Sequence, residues 1–276
     1  MVIAETHRLN GEFDENYHLI AADRSEYVLK RMREGCDRAF LDLQIRALEH
    51  LKTFPVPKPA APVETAEDGR FKWLLHWLPG RPLAEVPHTQ AILVNLGRLL
   101  GRIDRALASF SHPAAHRELK WDLARAGWIE DYLDYIPDAR RRAMVHRVLD
   151  RFKREKPLDQ VRRSVIHGDA NPHNVLVEGE EITGLIDFGD LHFGAPVSEL
   201  AVACAYVLPE EMAAIRQGFE ESFPLTENEQ QALPLLILTR LAVSVTNSAY
   251  RKTQYPDPYV TVSEQQVSKT LEILLC

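Results

Sequence analysis

The chain has 276 residues, 45% hydrophobic and 26% charged, with a formal net charge of −7. That is an ordinary globular composition, long enough for one large domain or two small ones around a sizeable core. No apolar run reaches the roughly 20 residues of a membrane span, no long Lys/Arg run marks a nucleic-acid surface, and residues 1–10 carry charges where a signal peptide would be apolar; neither a membrane nor a nucleic acid is an expected partner.

Taken in chain order, residues 1–78 read as mostly strand with one helix. Segments 17–21 and 26–32, separated by Ala-Asp-Arg-Ser, predict two strands and a turn. Phe40, Leu43, Ala47, Leu48 and Leu51 then recur at helical spacing. Pro55, Pro57 and Pro59 force an extended stretch, and 71–77 predicts a buried strand ended by Pro79-Gly80. From about residue 88 the pattern turns helical. Ile92, Leu93, Leu96, Leu99, Leu100, Ile103 and Leu107 make a strong amphipathic helix, and further helices are predicted at about 121–135 and 138–154. A β-rich stretch interrupts them: an apolar run at 161–166, then a hairpin of 175–177 and 182–186 around Glu178-Gly-Glu-Glu181. Helices at about 197–207, 209–222, 226–248 and 260–275 complete the chain.

Cys36, Cys204 and Cys276 are odd in number and far apart. They argue against a disulfide framework and a zinc site, and for a reducing, cytoplasmic setting. Arg140, Arg141 and Arg142 near Asp138 read as a solvated helix face. The acidic balance suits a small cationic substrate.

The chemistry is concentrated in His167-Gly-Asp-Ala-Asn-Pro-His-Asn174 and in Ile186-Asp-Phe-Gly-Asp190. Phosphoryl transfer asks little covalent chemistry of a protein: a carboxylate beside the incoming hydroxyl, oxygen ligands for a metal on the phosphates, and positive charge to neutralise them. Asp169 sits in a loop after a strand. Asn174 follows five residues later at the mouth of the next strand, and Asp187 eighteen residues after Asp169, beyond the hairpin's second strand. The hairpin therefore brings Asn174 and Asp187 to neighbouring strand ends, where hard oxygen donors suit Mg²⁺. Gly189 is expected to supply a bend beside the metal. An Asp, four residues, an Asn and a later Asp-Phe-Gly is the order of parts found in protein kinases. Upstream, Lys30 ends a predicted strand and fits the lysine that meets nucleotide phosphates. The following helix offers Asp42, Gln44 and Glu49 as its partner, and spacing does not choose among them. The loop expected to cover the phosphates, residues 11–16, holds one glycine.

With these residues in place, the sequence resembles the aminoglycoside phosphotransferase and choline kinase superfamily, whose usual form is His-Gly-Asp-x-x-x-x-Asn followed by Ile-Asp-Phe-Gly-Asp. The resemblance implies an α+β, two-lobed protein-kinase-like fold: a small β-rich N-lobe, residues 1–78, and a larger mainly helical C-lobe, residues 79–276, with ATP or GTP and Mg²⁺ between them. It implies Asp169 as catalytic base, Asn174 and Asp187 as Mg²⁺ ligands, Lys30 on the phosphates, and a nucleotide-facing hinge at His76, Trp77 and Leu78. In that comparison Gln44 takes the place of the usual helix Glu, with Asp42 a polar alternative. Within the superfamily, Tyr27-Val-Leu-Lys30, Leu78-Pro-Gly-Arg-Pro-Leu-Ala-Glu85 and Asn247-Ser-Ala-Tyr250 are similar to hydroxylysine kinase-like phosphotransferases over about residues 10–275. That likeness implies 5-hydroxylysine as acceptor, with other amino alcohols as further candidates.

Other residues carry weaker readings. Asp190, three residues past Asp187, is a candidate for an acceptor ammonium, with Glu199 as the alternative. Trp121, Asp122, Tyr206 and Tyr250 are candidates for the acceptor pocket, each with an ordinary core role as the competing reading. His167 reads as a structural residue holding the loop. Competing functions are a metallophosphoesterase, a non-catalytic nucleotide-binding relative, and an antibiotic-modifying kinase. The first has its Asp-x-His element, Asp190-Leu-His192, in the wrong order. The second has no support while Asp169, Asn174 and Asp187 are all present.

Overall fold

The computed structural model describes residues 2–9, 11, 14–254 and 258–275, and for 258–266 the backbone alone. Its first part is an antiparallel sheet in the order β1-β2-β3-β5-β4, formed by β1 (Ile3–Leu9), β2 (Glu15–Ala21), β3 (Glu26–Arg31), β4 (Glu64–Thr65) and β5 (Phe71–His76). β1 is a strand that the apolar pattern does not announce. It is an edge strand exposed over nearly its whole length, so neither face selects for alternating apolar residues. The helix α1 (Arg38–His50) starts at Asp37, whose carboxylate accepts the Ala39 N–H at 2.9 Å. It buries Leu41, Gln44 and Leu48 along one stripe, and shares a core with Met32, Trp73 and Leu75 of the sheet region.

Residues 77–80 leave the sheet. Trp77 N–H donates to Glu26 O at 3.1 Å, and Thr183 Oγ1 donates to Pro79 O at 2.6 Å. β6 (Arg81–Pro82) then pairs with β8 (Val175–Glu178), which forms the expected hairpin with β9 (Glu181–Leu185). A two-stranded pairing of β7 (Ser164–Ile166) with β10 (His192–Gly194) lies beside it. The helices are α2 (Gln90–Leu107), α3 (Ala139–Glu155), α4 (Pro196–Ala205), α5 (Met212–Ser222), α6 (Glu227–Gln254) and α7 (Pro258–Leu275). The molecule is thus α+β and two-lobed, a β-rich N-terminal lobe joined to a larger, mainly helical one.

Two expectations change. The helix predicted near 121–135 is a run of 3₁₀ turns, Leu123–Tyr135. Its apolar residues do not form one stripe, so no single face could be packed by regular α-geometry. α6 is the one helix among the described residues long and apolar enough to cross a membrane, but 89% of that apolar window is buried inside the fold. Its hydropathy is that of a core helix.

α2 and α5 cross at glycines. A Cβ on Gly218 would lie 2.0 Å from Val94 O, and one on Gly97 would lie 2.0 Å from Ile215 O. Backbone atoms cannot yield as a flexible side chain does. Gly218→Ala is therefore expected to destabilise the protein by about 1–3 kcal/mol or more, a drop of several degrees in Tm. Gly127→Ala, where nothing lies within 4 Å, should melt within about 0.5 kcal/mol of the parent. Equal melting of both variants would contradict the close crossing.

Candidate active site

β7 delivers the chain into the loop of residues 167–174. Gly168 turns it with φ 83°, and a Cβ there would stand 2.9 Å from both Asp190 O and His192 Cε1. Only glycine fits, by conformation and by space. The Gly168 N–H donates to Glu199 Oε2 of α4 at 2.6 Å. His167 is fully buried; its Nε2 bonds Ile186 O at 3.0 Å, and Asp169 N–H donates to its Nδ1 at 3.3 Å. These two bonds tie the loop to the hairpin's end.

The Asp169 carboxylate is held from three sides. Oδ2 accepts Asn171 Nδ2 at 2.8 Å and Asn174 Nδ2 at 2.9 Å, while Oδ1 accepts Arg240 Nη2 at 2.8 Å. Burial raises its pKa from the usual carboxylate value, against the opposing pull of the Arg240 charge. Asn174 also donates to Asp169 O at 3.0 Å, and its own carbonyl accepts Ile186 N–H at 2.8 Å. The hairpin thereby places Asp187 next to Asn174.

Asp187 has left-handed backbone, φ 60°. The bend expected of Gly189 is made by Asp187 itself, and Gly189 instead leaves space for the carboxylate, whose Oδ1 is 3.2 Å from a Cβ built there. A non-glycine residue held at positive φ marks a position where the surroundings over-determine the backbone. Lys30 Nζ donates to Asp187 Oδ1 at 3.2 Å and lies 3.8 Å from Asp14 Oδ2. The Lys30 charge lowers the Asp187 pKa. Burial pushes the Lys30 pKa down, but Asp187 and then Asp14 outweigh it, and the net direction is up.

Among the described residues Lys30 makes no hydrogen bond to Asp42, Gln44 or Glu49, and Glu49 lies 3.8 Å from Arg46 Nη1. Asp42 hydrogen-bonds His112 Nε2 at 3.1 Å and lies 3.6 Å from Arg46 Nε. Gln44 is 1% exposed, and its Nε2 is buried without a partner among the described residues. The carboxylate that does accompany Lys30, besides Asp187, is Asp14 from the glycine-poor loop, which also accepts Arg33 N–H at 2.9 Å. Glu12 and Phe13 of that loop lie outside the described residues. His76, Trp77 and Leu78 sit where the sheet passes into the second lobe. Trp77 stacks on His18 with centroids 3.9 Å apart, and His76 packs on Tyr27 at 5.4 Å.

Among the acceptor candidates, Asp190 faces the cluster. Burial, then the Asp169 and Asp187 charges, push its pKa up to about 7. Trp121 packs its ring 4.5 Å from the Arg240 guanidinium. Asp122 is committed to structure: it caps the 3₁₀ segment through Ala124 N–H at 2.9 Å and lies 3.7 Å from His192 Nε2. Tyr250 belongs to an aromatic group with Tyr132 and Tyr135, at 4.8 and 5.0 Å, beside Lys120. Arg240 is the residue that the spacing of motifs misses. The one available signal is a lone arginine inside the apolar run 235–245.

The donor set suits a hard cation shared with phosphates. Both Asn174 amide hydrogens are directed at Asp169, which leaves Asn174 Oδ1 as its remaining acceptor; Asp187 Oδ1 takes Lys30 and the Gly189 N–H at 3.3 Å, which leaves Oδ2. One amide oxygen and one carboxylate oxygen, with no sulfur or imidazole, is the chemistry of Mg²⁺ completed by phosphate oxygens.

The sequence model of the phosphotransferase enzyme family matches residues 5–232. The chain belongs to that family. A hydroxylysine kinase of Mus musculus is 37% identical over 205 residues, which are 67% of this chain and 54% of the mouse protein. The chain thus spans about half the length of that relative. A homoserine kinase of Zymomonas mobilis is 28% identical over 248 residues, covering 82% of this chain and 74% of that one. Among solved structures, an amicoumacin kinase in complex with AMP-PNP, Ca²⁺ and Ami superposes with a TM-score of 0.74 at 16% identity, over 97% of this chain and 88% of that one. The last likeness is one of fold: the two lobes are those of a kinase-like phosphotransferase.

In this phosphotransferase-family chain the support of the loop of residues 167–174 includes a second buried carboxyl beside Glu199. Asp104 of α2 is fully buried with neither oxygen bonded, and burial, then the nearby Glu199 charge, push its pKa well above the usual range. The folded state therefore keeps a proton that the unfolded chain releases above about pH 4. The folded state binds more protons, so stability falls by about 1.4 kcal/mol per pH unit as pH rises from there toward the folded pKa. Asp104→Asn is neutral at every pH and similar in shape. It is expected to melt with the parent at or below about pH 4 and above it at pH 8; identical melting at both would contradict a protonated Asp104.

Proposed function

We propose that this protein is a Mg²⁺-dependent small-molecule kinase that moves the γ-phosphoryl group of ATP or GTP to a hydroxyl of an amino alcohol or hydroxy amino acid, with 5-hydroxylysine as the preferred acceptor. The single observation that carries the reading is the convergence of Asp169, Asn174, Asp187 and Lys30, brought together from two strand ends, a loop and the N-terminal sheet. Family membership supports the chemistry, and the mouse relative's name supports the acceptor.

In this reading residues 1–78 form the nucleotide-binding lobe and 79–276 the catalytic and acceptor-binding lobe. The nucleobase lies against His76, Trp77 and Leu78, and Lys30 swings its ammonium from Asp187 and Asp14 to the phosphates. Asn174 and Asp187 would hold Mg²⁺, which when bound would neutralise phosphate charge. Asp169 accepts the hydrogen of the acceptor hydroxyl. The hydroxyl oxygen forms the new bond to the γ-phosphorus, the bond to the β-phosphate oxygen breaks, and the nucleoside diphosphate leaves. Asp190 lies beside the acceptor and takes its ammonium, a contact that gains strength from the partial exclusion of water. The partners are a nucleotide and a small cationic hydroxyl compound in the cytoplasm, with neither nucleic acid nor membrane.

The test is nucleoside diphosphate release with ATP and with GTP over 5-hydroxylysine, homoserine, ethanolamine, choline and kanamycin. Stimulation by 5-hydroxylysine alone is the expected result. The Zymomonas relative makes homoserine the second reading, and stimulation by homoserine alone would replace the acceptor.

A further inference from the structure

Arg240 is 2% exposed and lies in the middle of α6, 71 residues from the residue it meets. A guanidinium is costly to bury, and an ion pair inside a protein is often no more stabilising than apolar side chains of the same volume. Its presence in the mainly apolar run 235–245 of α6 therefore needs a reason beyond stability. The contacts supply one. Nη2 donates to Asp169 Oδ1 at 2.8 Å. The guanidinium carbon lies 4.5 Å from the Trp121 ring centroid and 5.5 Å from that of Tyr206. Nε donates to the Tyr206 hydroxyl at 3.2 Å, and that hydroxyl shares a hydrogen bond with Ser244 Oγ at 3.1 Å. The arginine is thus fixed by two rings and a second hydrogen bond before it touches the loop.

The two sides of the Asp169 carboxylate differ. Oδ2 is held by amides of its own loop, from Asn171 and Asn174. Among the described residues Oδ1 is held only by Arg240, from an element elsewhere in the chain. The amides belong to the same loop as Asp169, whereas Arg240 belongs to α6. We propose that Arg240 is a positioning residue, which ties the Asp169 carboxylate to the rigid α6 core and fixes the direction from which it meets the acceptor hydroxyl. The inference rests on the reading of Asp169 as the base. Oriented groups matter because small displacements of a catalytic group lower the rate without changing what binds.

The test compares the parent, Arg240→Met, Asp169→Asn and the double variant, with kcat and both KM values measured under Mg²⁺ and the preferred acceptor. Arg240→Met is expected to lower kcat about 10- to 100-fold, the scale seen for residues that orient a first-contact group, with the acceptor and nucleotide KM unchanged. It should lower kcat no further in the Asp169→Asn background, because a residue acting only through Asp169 has nothing left to orient. Arg240→Lys keeps the charge on α6 and is the variant to read if Arg240→Met melts early; its loss should also fall on kcat alone. Multiplicative losses in the double variant would overturn the proposal. So would a raised acceptor KM at constant kcat, which would make Arg240 a contact for an acceptor carboxylate. Normal turnover of Arg240→Met beside an inactive Asp169→Asn would overturn this inference alone, whereas normal turnover of Asp169→Asn would remove the base assignment and this inference with it.

Discussion

Asp169→Asn is expected to lower turnover by about 10²- to 10⁴-fold, the contribution of a positioned general base, while the protein stays folded and continues to bind nucleotide. The side chain keeps its shape. Its one remaining oxygen can accept from Arg240 or from the loop amides, which now hold Oδ1 and Oδ2 separately, but not from both. The new amide nitrogen has no affinity for a proton. A melting curve and a nucleotide titration beside the rate measurement separate this loss from unfolding. Near-normal turnover would sink the role of Asp169.

The second large effect is expected at Asp187. Lys30 is 9% exposed and meets two carboxylates, Asp187 at 3.2 Å and Asp14 at 3.8 Å. Asp187→Ala removes the nearer one and one of two proposed oxygen ligands. Turnover should fall by at least about 10²- to 10³-fold, the scale of losing one preorganised charge-stabilising group. Nucleotide binding should become the same with and without Mg²⁺. Titrations of nucleotide in the presence of magnesium and of a chelator test this, and a retained magnesium effect would contradict the metal role. Asp187→Asn keeps an oxygen donor and should retain part of the magnesium effect.

Much of the site was legible because its spacing is local. Asp169, Asn174 and Asp187 lie within one loop and one hairpin, and the pairing of Asn174 O with Ile186 N–H follows from the hairpin register. The buried His167 holds the loop as its place before Asp169 suggested. What stayed hidden depends on contacts between distant segments. Arg240 is a helix residue whose importance appears only when α6 is laid against the loop. Asp14 stands beside Lys30, but a glycine-poor loop offers no sequence signal for it. Helical phase puts Gln44 on the buried stripe of α1 and Asp42 on the opposite side, but it could not tell that Asp42 meets His112, or that the buried Gln44 makes no hydrogen bond to Lys30 among the described residues. Asp122 resembles an acceptor-site acid until His192, 70 residues away, is brought beside it. In the fold, exposed β1 and the 3₁₀ run Leu123–Tyr135 lack the single apolar face on which periodicity depends.

The most direct test of the account is a ³¹P spectrum of the protein with Mg²⁺, ATP or GTP, and 5-hydroxylysine. A phosphate monoester of the acceptor growing in step with nucleoside diphosphate, and absent when Mg²⁺ is chelated or Asp169 is replaced by Asn, is the predicted result. Nucleotide bound with no monoester formed from 5-hydroxylysine or any other hydroxyl compound of the acceptor panel, or inorganic phosphate released in place of the ester, would contradict phosphoryl transfer at this site.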